Sequence, residues 1–438
     1  MNWVTILLFL LLCAVLFRAG LLAYALYTLV GVLLAGRWLA RHASRSITAQ
    51  RQCSALEAEI GDVVSVEVRL NNKSAIPIPW ALVEDLLPQR ALVHTPPSLE
   101  LAGRRTMLVS LPGRSARTLR YQLKANRRGY YQIGPAVVET GDVFGLHRRY
   151  HLLSRPHFLT VYPKIVPIEG YDIASRRPVG EVRLAHRLFE DVTRLAGVRD
   201  YRPGDRFNTI HWPATARTGS LQTKVFEPSC VAGATLVLDF HQDGYDKRYE
   251  PYRSELAVTA AASLAHVLYE WNQQVGLVTN GRDAADRIRW EGWSYDLRSR
   301  DAAIEQGSML PRSERLRPLV IPTARGPEVL RSIRDALARL ELTDGLRLHE
   351  LLLETHARLP RDAAVIVLVA KLDAASTIAL GNLVRQGYAV TVLVSIYEEA
   401  DYAEVAGPLI AEGVNVRQLR NEESITRLCH EAVLATVG

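Results

Sequence analysis

"ATLVLDFHQDGYD", Ala234 to Asp246, begins as a short apolar run and closes on Asp239, His241, Asp243 and Asp246. A strand apolar on successive residues belongs in a sheet covered on both faces, because a half-exposed strand alternates. From Tyr252 to Gln274, Leu256, Ala260, Leu264, Leu268 and Trp271 fall on one helical face. "VGLVTN", "AAVIVLVA", "AVTVLVS" and "VNVRQL" repeat the apolar run, and Leu330, Ile333, Leu337 and Leu340 mark a helix between Glu328 and Leu340. Residues 233–438 are therefore expected to form a doubly wound α/β domain.

Upstream the rhythm is that of half-exposed strands. In "VVSVEVRLNN", Val64, Val66, Val68 and Leu70 alternate with Ser65, Glu67 and Arg69, and "RTLRYQLKANRRG" repeats the pattern through Leu119, Tyr121 and Leu123. Prolines 77, 79, 96, 97 and 112 punctuate the connections. A small antiparallel β-sandwich over residues 56–165 is expected, followed by a junction over 166–232.

Two uncharged apolar runs stand at the N-terminus, Trp3 to Phe17 and Leu21 to Gly36, separated by Arg18-Ala19-Gly20. Each is short for a bilayer, so the expectation over 1–40 is a transmembrane hairpin of two short helices, about 3–17 and 21–36, with one long tilted helix as the alternative. A cleaved leader fits poorly, because the apolar signal resumes after the break. "RWLARHASRSITAQR" follows, overlapping a basic juxtamembrane segment at 41–55. Its Arg37, Arg41, Arg45 and Arg51 are expected to hold this flank in the cytoplasm and to face anionic lipid.

The chain has 438 residues and a formal net charge of +7. Five arginines, at 18, 37, 41, 45 and 51, precede the first acid, Glu57, so the remainder carries only about +2. No nucleic-acid partner is expected from a charge so confined. The four cysteines lack CxxC spacing, which speaks against zinc or redox work and for unpaired thiols in a reducing compartment.

Chemistry has two candidate locations. In "GVRDYRPGDRFNTIHWPATARTG", Gly197 to Gly219, Asp205 could orient His211 as a general base, with Gly204 turning the chain before it. The competing expectation is structural: Asp205 accepts from Arg199 or Arg217, while Tyr201 and Trp212 bury against a neighbouring domain. The second location is the loop after "ATLVL", where Asp239, His241 and Asp243, with Asp373 after "VIVLVAKL", are weak candidates for a divalent ion. No glycine-rich phosphate loop and no GxSxG elbow is present.

The run Arg199-Asp200-Tyr201-Arg202-Pro203-Gly204-Asp205, through Ile210-His211-Trp212 to Thr215-Ala216-Arg217, resembles the signature of the DUF58 family. "RRGYYQIGPAVVETGDVFGL", Arg127 to Leu146, is similar to a second pattern of that family. The resemblance implies a bacterial or archaeal protein of the cytoplasmic membrane, with its soluble domains in the cytoplasm. It also implies work beside a MoxR-type AAA+ ATPase and von Willebrand A-like proteins, and a von Willebrand A-like C-terminal half. That fold's metal motif, D-x-S-x-S, reads here Asp239-Phe240-His241-Gln242-Asp243, without the two hydroxyl ligands, so no cofactor is expected. The leading expectation is a non-enzymatic, membrane-tethered adaptor that assists the ATPase in assembling or remodelling complexes. The alternatives are a metal-dependent receptor using Asp239, Asp243 and Asp373, and a hydrolase using Asp205 and His211.

Overall fold

The computed structural model describes residues 20–428 except 94–95, 169–170, 173–176, 179–188, 201–209, 230–232, 286–316, 362 and 397. These residues divide after Tyr162 into two compact units.

The first unit opens with helix α1, Gly20–Ser46, which runs without a loop into strand β1, Ile47–Cys53. Strands β2, Glu57–Glu59, β3, Val63–Asn72, β4, Ile78–Asp85, β5, Leu99–Gly103, β6, Thr106–Leu111, and β7, Ala116–Ala125, follow. The unit ends with β8, Gly129–Ile133, β9, Ala136–Gly141, β10, Arg148–Ser154, and β11, His157–Tyr162. Two antiparallel sheets form, ordered β1-β3-β7-β5 and β10-β9-β4-β6, with a smaller sheet β2-β11-β8. Register places Val64, Val66 and Val68 opposite Leu123, Tyr121 and Leu119. These side chains share one buried core with Ile78, Ala81, Val83, Ile133 and Val138, as the alternating pattern requires.

One charged pair is sealed into this unit. The Arg51 guanidinium grips Asp85 through Nη2 to Oδ1 and through Nε to Oδ2 at 3.0 Å, and its Nη1 donates to the Arg155 carbonyl at 2.7 Å. The Tyr121 hydroxyl donates to Asp85 Oδ2 at 2.7 Å. Burial, followed by the Asp85 charge, pushes the Tyr121 phenol well above its ordinary value. Gly134, at φ +87°, lies against the guanidinium where a β-carbon would collide, so the site requires glycine.

In the second unit, β12, Phe189–Asp200, and β13, Gln222–Ser229, pair antiparallel, with helix α2, Trp212–Thr218, lying between them in sequence. Beyond lie β14, Gly233–Leu238, α3, Tyr252–Glu270, β15, Gln274–Thr279, β16, Leu319–Ala324, and α4, Pro327–Arg339. Next come α5, Leu348–Thr355, β17, Ala364–Val369, α6, Ala374–Arg385, β18, Val390–Val394, α7, Glu399–Ala411, and β19, Asn415–Gln418. The six-stranded sheet has the order β16-β15-β14-β17-β18-β19, parallel apart from the edge pairing of β16 with β15. All six residues of β14 are buried. Leu236 and Leu238 pack with α3 and α4, whereas Val237 packs with α5 to α7 on the other face.

The expected fold class is corrected on two points. Among the described residues no helix is long and apolar enough to cross a membrane. α1 continues ten residues past Gly36, through the basic segment, and packs its C-terminal turns on β9 and β10, while the first member of the expected hairpin, 3–17, lies outside the described residues. Nor is a von Willebrand A-like doubly wound domain shown. Most strands lie in antiparallel pairings, and the one large sheet with parallel order is itself mixed. Local apolar runs specify buried strands and helices, but they do not specify how the strands are ordered.

Candidate functional site

The carboxyl end of β14 is where an open sheet leaves a crevice, and Asp239 is the first residue beyond it. Its N–H donates to the Leu368 carbonyl at 3.0 Å, and its own carbonyl accepts from the Tyr245 hydroxyl at 2.9 Å. Asp239 Oδ1 accepts from Asn280 Nδ2 at 2.7 Å and from the His241 N–H at 3.2 Å. Asn280, just past β15, also accepts from the Phe240 N–H at 2.6 Å and donates to the Leu346 carbonyl at 2.8 Å. One amide side chain therefore ties three loops together. Burial pushes the Asp239 carboxyl above its ordinary value, against the opposing pull of the Asn280 and His241 hydrogen bonds.

His241 is also buried; its Nδ1 accepts from the Asp243 N–H at 3.2 Å and caps a short turn, Gln242–Gly244. Asp243 projects outward, with Arg347 Nη2 at 3.5 Å from its Oδ2. Asp373 caps α6 by accepting from the Ser376 N–H at 2.8 Å, and its Oδ2 lies 3.6 Å from His349 Nδ1. Burial works to raise the Asp373 carboxyl, but the Ser376 hydrogen bonds and the His349 charge outweigh it and hold the group below the usual range. A cleft of about 300 Å³ results, lined by Asp239, His241, Asp243, Arg347, Lys371 and Asp373.

The structure thus brings together the three carboxylates proposed from sequence, Asp239, Asp243 and Asp373. Asp246 is turned to another task, accepting from the Arg248 N–H at 2.9 Å. Among the described residues no group of three His, Cys, Asp or Glu side chains could hold a metal ion. Sequence reasoning missed Asn280, Arg347, His349 and Lys371. Asn280 had a readable signal, since it ends the apolar run "VGLVTN" at the same edge where Asp239 ends its own.

The second location behaves differently. His211 is the N-cap of α2, and its Nδ1 accepts from the Ala214 N–H at 3.0 Å. That nitrogen's lone pair is used locally and is not free to take a proton from a substrate. Thr215 Oγ1 accepts from the Gln222 N–H at 3.0 Å, and Asp200 Oδ1 accepts from Gln222 Nε2 at 2.6 Å. Arg199 lies opposite Thr223 in the β12–β13 ladder. Arg217 is exposed, and Trp212, expected to be buried, is 65% exposed. Tyr201, Gly204 and Asp205 lie outside the described residues. Of the basic residues assigned to lipid, Arg37, Arg41 and Arg45 are exposed on α1, but Arg51 is corrected: its side chain is wholly enclosed with Asp85 and cannot face lipid.

Fold and site together define a two-unit chain with an antiparallel sandwich and a mixed α/β sheet. At the strand ends of that sheet lies a cleft of mixed charge. Residues 197–291 match the DUF58 family, a protein family of unknown function, in agreement with the resemblance carried by the signature run. It is 29% identical over 290 residues to the uncharacterized protein YeaD of Bacillus subtilis strain 168, covering 64% of this chain and 69% of that one. Among solved structures, a CARDB domain from Pyrococcus furiosus is similar at 14% identity and a TM-score of 0.17, covering 26% of this chain and 91% of that one. Proximal thread matrix protein 1 of the mussel byssus is similar at 10% identity and a TM-score of 0.27, covering 46% of this chain and 47% of that one. Likenesses this slight carry no argument about fold or function.

Proposed function

We propose that the chain is a non-enzymatic adaptor held at the cytoplasmic face of a bacterial or archaeal membrane. It presents its folded units to a MoxR-type AAA+ ATPase and to von Willebrand A-like proteins during the assembly or remodelling of complexes. The observation that supports this reading is Trp212, displayed to solvent on the helix of the family signature. An indole contributes large contact area at low entropic cost, and tryptophan is among the residues that dominate interface energies. Among the described residues beside it, His211, Thr215, Asp200 and Gln222 are engaged in a cap and in local hydrogen bonds, which suits a recognition surface more than a reaction centre.

The test is cross-linking in membranes followed by capture of partners with an ATP analogue present. Wild type should recover an AAA+ ATPase, and Trp212→Ala should recover about tenfold less with an unchanged melting curve. Full capture by Trp212→Ala, or no ATPase from wild type, would sink the reading.

A further inference from the structure

The stretch "GDVFGL", Gly141 to Leu146, puts three apolar side chains into solvent: Val143 is 65% exposed, Phe144 69% and Leu146 61%. The loop that carries them is closely held. Asp142 is buried, its Oδ1 accepts from the His147 N–H at 2.9 Å, and its carbonyl accepts from the Gly145 N–H at 3.1 Å and from Trp80 Nε1 at 2.8 Å. A loop so pinned cannot fold its apolar residues back onto the sandwich. Helix α1 passes beside it, for a β-carbon on Gly36 would lie 2.9 Å from Asp142 Oδ2. The α1 face that packs on the sandwich runs through Gly36, Ala40 and Ala43, all buried. At helical spacing that face continues N-terminally as Leu29 and Val32, which are exposed, so it runs past its support. Arg37, Arg41 and Arg45 on the helix and Arg148 and Arg149 after the loop are exposed around this end, and Arg148 Nε donates to the Gly145 carbonyl at 3.4 Å. No acid precedes Glu57 in the sequence, and Glu139, the partner of Arg148, is buried.

We propose that the 142–147 loop and the adjoining exposed turns of α1 form a lipid-contacting wedge. It seats the first unit on an anionic membrane surface, with Val143, Phe144 and Leu146 at the headgroup and acyl boundary and the arginines on the phosphates. This rests on the membrane placement proposed above and deepens it, because it needs no spanning helix. Apolar tips with exposed arginines on the adjoining helix and strand match the chemistry of an anionic interface. A protein partner of the usual kind would be met by a mixed polar rim instead.

The experiment uses the full chain and vesicles of phosphatidylcholine with about a quarter phosphatidylglycerol. The triple variant Val143→Ser, Phe144→Ser, Leu146→Ser should partition at least about tenfold more weakly than wild type. In a separate variant, Phe144→Trp, brominated lipid should quench a fluorescence increment over the seven native tryptophans. Wild-type partitioning by the triple variant together with an unquenched increment overturns the proposal. Unchanged vesicle binding with lost ATPase capture also overturns it, by assigning the loop to a protein. Should the triple variant melt early, the quenching of Phe144→Trp at native melting temperature decides alone. Quenching without any ATPase capture would leave this inference standing while removing the adaptor reading.

Discussion

A buried carboxylate hydrogen-bonded only by uncharged donors is the sharpest residue-scale feature of the cleft. Asp239 is held by an amide and a backbone N–H, neither of which carries charge. Its folded value lies above its unfolded value, so the folded chain binds the proton more tightly. Its contribution to stability is therefore largest below the unfolded value and is lost as the pH rises through the folded one. Asp239→Asn keeps both accepted hydrogen bonds at Oδ1 and removes the charge, so it should melt a few degrees higher near neutral pH. Melting curves from about pH 4 to 7 should also lose part of their downward slope with pH. A lower melting temperature for Asp239→Asn at every pH would contradict this. Arg51 and Asp85 make the opposite case, since each neutralises the other and neither side chain is exposed. Removing one partner by Arg51→Ala should cost about 3 to 5 kcal/mol by urea denaturation. The double change Arg51→Met, Asp85→Leu should recover much of that loss.

At the scale of elements, the strand runs were plain in the sequence because burial leaves a period that residues carry openly. Val64, Val66 and Val68 announced a half-buried strand, and "ATLVL" a fully buried one. The helix at the N-terminus was misread because hydropathy registers apolar length but not where a helix finds its support. α1 uses Gly36, Ala40 and Ala43 to lie on β9 and β10, and the two alanines stand among arginines that read as a membrane flank rather than as a continuing helix with a packed face. Gly36→Leu should separate helix from sandwich, since the side chain would press on Asp142. A loss of about 1 to 3 kcal/mol is expected, with faster amide exchange in 142–147 than in β3. Equal exchange in both segments would show that the helix does not support the loop. The exposure of Trp212, expected to be buried, escaped sequence reasoning for a related reason. A large aromatic in a polar run suggests burial, and only its place on a short, exposed helix reveals otherwise.

At the scale of the whole molecule, the cleft was only half legible. Asp239, Asp243 and Asp373 could be named from strand ends, because the sheet brings strand termini together whatever their distance in sequence. Arg347 and His349 could not, as they come from the start of α5, whose approach to the cleft depends on packing rather than on any local pattern. The Arg347 charge matters, since it stands 3.5 Å from Asp243 in a cleft shared by three carboxylates that would otherwise repel one another.

The junction of α1 with β1 has a mechanical consequence. Ile47 begins the strand at the residue after the helix ends, so no slack chain separates the two. Any pull on the helix is delivered at once to seven register pairs between β1 and β3, from Ile47 opposite Asn72 to Cys53 opposite Val66. A load along that axis shears the pairs together rather than unzipping them one by one, and Arg51, clamped to Asp85, sits near the far end of the ladder as a stop. Tension entering through α1 would thus be met first by the β1–β3 ladder and the buried Arg51–Asp85 pair.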